Sequence, residues 1–147
     1  MRTARGNLWR LAINKVLVIT TNGSLNKRGE CVMGRGIARE AKERFPELPR
    51  VLGDRIKQQG NRCFMLGKWG DYVLVSFPVK HRWYEKADPE LIRKSASELV
   101  EIAGTCGFEE VYMPRPGCGN GRLSWEGEVR PLLRGVLDDR FVVCTWD

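Results

Sequence analysis

Met113-Pro-Arg-Pro-Gly-Cys-Gly-Asn-Gly-Arg-Leu-Ser-Trp125 is the stretch on which the reading of this chain turns. Its glycines stand at alternate positions, 117, 119 and 121, after a short strand-like segment, Glu110–Met113, and before a helical pattern over Trp125–Leu137. A simple strand-to-helix connection needs only one or two residues of such backbone freedom. Glycine also carries an entropic cost of roughly 0.5–1 kcal/mol in regular structure. This density therefore predicts a backbone that wraps closely around a ligand and turns several amides inward.

A second glycine-bearing loop lies upstream, in Val32-Met-Gly-Arg-Gly-Ile-Ala38. Gly34 and Gly36 open a helical pattern carrying Ile37, Ala38, Ala41 and Phe45 on one face, closed by Pro46. Free N–H groups and the helix dipole at such a start favour a phosphate. Alone, the segment fits an unliganded tight turn equally well, being neither G-x-G-x-x-G nor a P-loop. Two such loops together suit a diphosphate better than a single phosphate.

Around these loops the pattern predicts strands at Leu8–Ile13 and Val16–Thr20, parted by Asn14-Lys15, and a loop over Thr21–Cys31. A helix at Val51–Gln59 stops at Gly60. Cys63–Leu66 and Tyr72–Phe77 read as a strand pair turned at Trp69-Gly70-Asp71. A long helix runs from Pro89 to about Cys106, with Asp88 as its N-cap and Gly107 as its stop. Phe141–Trp146 is a terminal strand. Strand–helix alternation in the second half argues for a mostly parallel or mixed sheet covered on both faces. In such sheets ligands gather beyond the carboxyl ends of the strands, where both glycine loops fall. With no repeat and no linker, residues 1–147 read as one domain.

Composition agrees with a compact globular chain of 147 residues, 42% hydrophobic, with no apolar run long enough for a membrane. The basic N-terminus lacks the apolar core of a signal peptide, so a cytoplasmic location is expected. Five scattered cysteines (31, 63, 106, 118 and 144), no C-x-x-C pair and a single histidine, His81, predict buried free thiols rather than a metal site. A formal charge of +7 favours an anionic partner, either a phosphorylated small molecule or a nucleic acid.

Thr20-Thr-Asn22, VMGRGIA at 32–38, Phe77-Pro-Val-Lys80 and MPRPGCGNGRLSW at 113–125 together resemble the macro-domain family. The likeness runs from about Gly6 to the C-terminus. It is strongest to the branch holding the terminal ADP-ribose protein glycohydrolase and the DarG-type antitoxins, which remove ADP-ribose from thymidine bases in DNA. The resemblance implies a three-layer α/β/α sandwich with a mixed central sheet, monomeric and without a cofactor. It implies ADP-ribose as ligand or product, with ADP-ribosylated DNA or protein as partner.

By position, Asn22 resembles the asparagine that reaches the distal ribose. Val32, Met33, Gly34, Arg35, Gly36, Ile37 and Ala38 would cradle that ribose and a phosphate. Pro116, Gly117, Cys118, Gly119, Asn120 and Gly121 would wrap the diphosphate. Gly6-Asn7-Leu8-Trp9 resembles a Gly-Asp-Leu-aromatic start whose acid contacts adenine; Asn7 departs from it, being uncharged and able to donate as well as accept. Trp146 is expected either against the adenine or in the core.

Lys80 resembles the catalytic lysine of the DarG-type enzymes. It would act as a Schiff-base nucleophile if burial or cationic neighbours lower its pKa, or by electrostatic positioning. The protein-deconjugating branch has an aspartate where this chain has Gly121, so a DNA thymidine adduct is the favoured substrate of an ADP-ribosyl glycohydrolase. The alternatives are a non-catalytic ADP-ribose reader, an ADP-ribose 1″-phosphate phosphatase, and a generic nucleotide-binding α/β domain. Gly23–Cys31 is read either as a flap over the distal ribose or as a solvated basic loop.

Overall fold

The computed structural model describes residues 1–146. Six strands form one sheet in the order β1-β6-β5-β2-β4-β3. They are β1 (Arg2–Arg5), β2 (Val16–Asn22), β3 (Phe64–Trp69), β4 (Tyr72–Lys80), β5 (Val111–Pro114) and β6 (Phe141–Thr145). All neighbours pair in parallel except β3, which runs antiparallel to β4 at one edge.

Side chains of a strand alternate between the faces, and β2 shows the result. Val16 and Val18 enter one core with α4 (Pro89–Cys106), while Leu17 and Ile19 enter a second with α2 (Gly36–Arg44) and α3 (Leu48–Gln59). Helices therefore cover both faces, and the expected three-layer α/β/α arrangement with a mixed sheet is what forms. Asp88 caps α4 by accepting the Glu90 N–H, and Gly107 ends it in the left-handed region at φ 70°.

Two readings at the N-terminus change. Leu8–Ile13 is not a strand. Leu8–Leu11 forms one turn of helix, α1, capped by the Asn7 side chain, which accepts the Trp9 N–H at 2.9 Å. Trp9 and Ala12, three residues apart, are the buried pair, a spacing that suits a helix turn as well as a short strand suits an apolar run. The first strand is the polar Arg2–Arg5, mostly exposed at the sheet edge and carrying no apolar signal. The helix expected over Trp125–Leu137 forms, but it ends at Arg134 and its first turn is π-helical. Ser124 accepts the Gly127 N–H, a π-helical turn spans Trp125–Val129, and α5 covers only Arg130–Arg134.

Because β1, β6, β5, β2 and β4 are parallel, their carboxyl ends share one edge. The chain leaves β2 toward β4 but leaves β5 toward β6, so the connections diverge between β2 and β5. A crevice opens at such a switch point. No helix is long and apolar enough to cross a membrane among the described residues.

Leu99, on α4, is fully buried. Leu99→Ala is expected to lower unfolding free energy by about 2–5 kcal/mol in a urea titration. Ile13→Ala, at a half-exposed side chain, should stay within about 0.5 kcal/mol of the parent.

Candidate functional site

A cavity of about 440 Å³ occupies the β5–β2–β4 portion of the carboxyl edge. That volume is within the usual range for small-molecule sites. Its floor is Thr20–Asn22 of β2, Val79 and Lys80 of β4, and Pro114 of β5. The two glycine loops form its walls, contributing Val32, Gly34–Ala38 on one side and Arg115, Gly117, Gly119–Gly121 on the other. Every charged side chain on the wall is cationic: Arg35, Lys80 and Arg115.

The first loop ends in α2, which starts without a side-chain cap. The N–H groups of its first turn have no partner inside the helix and face the anion-seeking end of its dipole. A Cβ placed on Gly34 would meet nothing within 4 Å, so the protein's own packing does not require glycine there. The second loop folds on itself, with Leu123 N–H donating to the Gly117 carbonyl at 2.9 Å and Arg122 N–H to Gly119 at 3.1 Å. Gly117 has φ 76°, and a Cβ on Gly121 would lie 2.5 Å from the Gly117 oxygen. No side chain, acidic or otherwise, fits at 121 without moving that backbone.

The end of β4 carries a register shift, so that Thr21 pairs with Pro78 but Asn22 with Lys80. The extra residue re-aims the strand end, as bulges do beside functional sites, and sets Lys80 opposite Asn22. Asn22 itself holds the loops: its Nδ2 donates to the Val32 carbonyl at 3.0 Å and its Oδ1 accepts the Ser24 N–H at 2.9 Å. Lys80 Nζ donates to the Trp83 carbonyl at 3.3 Å. Burial, and then the guanidinium groups of Arg122 and Arg35, hold the Lys80 amine below the ordinary lysine range. Arg122 is one of two non-glycine residues with positive φ among those described, at 66°. Such strain collects at functional sites.

The expected ligand contacts are brought together in part. Asn22, Val32, Gly34, Arg35, Gly36, Ile37, Ala38, Lys80, Gly117, Gly119, Asn120 and Gly121 all line the cavity. Met33 turns into the core instead, and Pro116 is buried behind the loop. Cys118 donates to the Pro116 carbonyl, and burial pushes its thiol up to about 11. Asn7 and Trp146 lie at the β1–β6 side of the same sheet edge, off the cavity wall. Asn7 spends its oxygen on the α1 cap, and Trp146 follows the last strand residue with 69% of its surface exposed rather than packing in the core. Cys31, Cys63 and Cys144 are buried as expected, whereas Cys106 is exposed.

The Gly23–Cys31 segment forms a stitched hairpin. Leu25 bridges Cys31, the Asn26 oxygen accepts from Arg28 and Glu30, and Cys31 N–H donates to Pro49 at 2.9 Å. Arg115 and Trp83 are among the lining residues to which the sequence assigns no role. Arg115 sits in the quoted loop, where its charge beside three glycines was a usable signal. Trp83 lies three residues beyond Lys80 in a segment without periodicity.

No protein-family model matches the chain. Among characterised proteins it is 32% identical over 109 residues to the ADP-ribose glycohydrolase OARD1 of Bos taurus, across 74% of this chain and 69% of that one. It is 28% identical over 108 residues to the DNA ADP-ribosyl glycohydrolase of Mycobacterium tuberculosis, across 69% of this chain but 31% of that protein. The chain thus spans about a third of the mycobacterial relative. The solved macrodomain of Mycobacterium tuberculosis DarG matches with a TM-score of 0.79 at 25% identity, over 99% of this chain and 97% of that one. Thermosipho africanus DarTG in complex with ADP-ribose matches with a TM-score of 0.78 at 21% identity, over 98% and 41%. Two glycine loops facing each other over a parallel sheet edge, together with these likenesses, make this chain a member of the macro-domain family.

Proposed function

We propose that the chain is an ADP-ribosyl glycohydrolase that holds ADP-ribose between its two loops and frees it from a macromolecule, with a DNA thymidine adduct as the favoured substrate. The observation that carries this reading is Lys80, an amine with a depressed pKa at the end of β4, in a cavity whose other charged side chains are the guanidinium groups of Arg35 and Arg115. The uncapped start of α2 and the cations of Arg35 and Arg115 suit a diphosphate. The relatives named for ADP-ribosyl hydrolysis support the same ligand.

In the reaction, the neutral Lys80 amine attacks C1″ of the distal ribose as the bond from C1″ to the carrier breaks. The amine's proton goes to the departing base, and the sugar opens to an imine on Lys80. Water hydrolyses the imine, which releases ADP-ribose and restores the lysine. Burial, and then the guanidinium groups of Arg122 and Arg35, favour the neutral amine, and Asn22 holds the first loop against the strand end. The steric closure of Gly121 excludes an acid at that point, which favours the DNA adduct over a protein adduct. No Asp, Glu or His lines the cavity among the described residues, so a base-activated water for a phosphatase has no partner there.

Three measurements test this. Wild type should release ADP-ribose from thymidine-modified DNA, and Lys80→Ala should abolish release yet bind free ADP-ribose within about threefold of wild type. Wild-type binding without turnover on DNA, protein and ADP-ribose 1″-phosphate substrates would leave a reader. With the neutral amine as the active form, kcat/KM should climb with pH toward a plateau whose apparent pKa lies below 10.5. Removing a neighbouring cation in Arg122→Ala should move that limb to higher pH, because the charged amine is then less disfavoured. An ammonium acting only by its charge would give activity that falls as pH rises.

The open space at Gly34 supplies the third measurement. Gly34→Val should weaken ADP-ribose binding about 5- to 150-fold by filling the ligand's space. Its unfolding free energy should stay within about 0.5 kcal/mol of the parent.

A further inference from the structure

We propose that Trp83 and Tyr84 form a stacking platform for the nucleobases that flank the modified one, so that this site takes its ADP-ribose from a single-stranded nucleic acid. The inference rests on the ADP-ribose reading of the cavity and extends it to the carrier.

Trp83 and Tyr84 are 51% and 64% exposed, and their rings meet edge to face at 5.5 Å and 83°. Large aromatics left in water beside a ligand site mark an interaction surface. Their backbone is held in place. The Trp83 N–H donates to Ser24 Oγ at 3.0 Å, and its carbonyl accepts Lys80 Nζ. The turn is closed by Glu85 N–H to the Arg82 carbonyl at 3.1 Å and by Arg82 N–H to Glu85 Oε1 at 2.8 Å. The rings are thus presented on a fixed turn.

Trp83 belongs to three concavities at once. It lines the ADP-ribose cavity, a groove of about 380 Å³ with Arg35, Lys80 and Arg122, and a groove of about 550 Å³ with Lys27 and Arg82. Any carrier bonded to the distal ribose leaves the cavity past Lys80 and meets this pair. Among the described residues the only carboxylate on either groove is that of Glu85, already engaged by the Arg82 N–H.

Exposed rings flanked by cations on both sides match the alternation of base and phosphate along a strand. A protein partner would call instead for an apolar pocket with a polar rim. Duplex bases keep their faces stacked on each other and offer no free face to these rings, so the occupant is a single strand.

The test uses the intact chain and an unmodified, fluorescently labelled thymidine strand about ten nucleotides long. Wild type is expected to bind it with an affinity that falls steeply as salt rises. Tyr84→Ala removes a ring that does not touch the ADP-ribose cavity. It should weaken strand binding about 5- to 150-fold, the loss of one base stack, and leave ADP-ribose affinity and melting temperature unchanged. Lys27→Ala with Arg82→Ala should flatten the salt dependence. The proposal is overturned if the strand does not bind, if Tyr84→Ala binds it as wild type does, or if duplex of the same sequence binds equally well. It is also overturned if an ADP-ribosylated peptide, rather than the strand, draws affinity from Tyr84. Strand binding without glycosidic turnover would overturn the enzymatic reading and keep the platform; turnover without strand binding would do the reverse.

Discussion

β2 is paired in parallel on both sides, Val16 with Val73 of β4 and with Val111 of β5, so its side chains are buried above and below the sheet. Leu17 and Val18 are fully buried on opposite faces, each the meeting point of a different helical layer. Parallel pairing cannot be made by a tight hairpin and must return through a covering helix. That constraint puts α2 and α3 over one face and α4 over the other, and it collects the carboxyl ends of five strands at a single edge. The two glycine loops face each other because β2 and β5 are neighbours whose onward connections diverge.

The cavity built there is electrostatically one-sided. Arg35, Lys80 and Arg115 line it, Arg122 stands near, and among the described residues no carboxylate shares the wall. Like charges brought together in partly buried space repel one another, and an anionic ligand relieves that repulsion as it binds. Burial, and then the same field, also lower the free-energy cost of a neutral Lys80. In the proposed function, binding and reactivity would draw on one arrangement of charge. Gly117 and Gly121 serve it differently from Gly34. The first two let the second loop close on itself with no room for side chains, whereas Gly34 leaves space that the protein does not fill.

How much of this was legible beforehand depends on how local each signal is. The α4 helix, its Asp88 cap and its Gly107 stop are written in consecutive residues, and the structure has them as read. The glycine loops carry their own conformational demand, and most of their residues do reach the cavity. Lys80 and Asn22 were found through likeness to a family, because nothing in a lone lysine after a strand distinguishes it. The strand Arg2–Arg5 and the turn of helix at Leu8–Leu11 were misread. A polar edge strand exists only by pairing with β6, and one helical turn is too short to show a period.

The sequence by itself determined the α/β class, the two glycine loops and the cationic balance, because each rests on residue chemistry or on a period of a few positions. Tertiary structure alone decided which of those residues meet. The register shift that sets Lys80 opposite Asn22, the arrival of Trp83 at the cavity wall and the removal of Asn7 and Trp146 from it all depend on strand order. Strand order follows from burying two faces of one sheet at once, a condition no stretch of the chain can state alone.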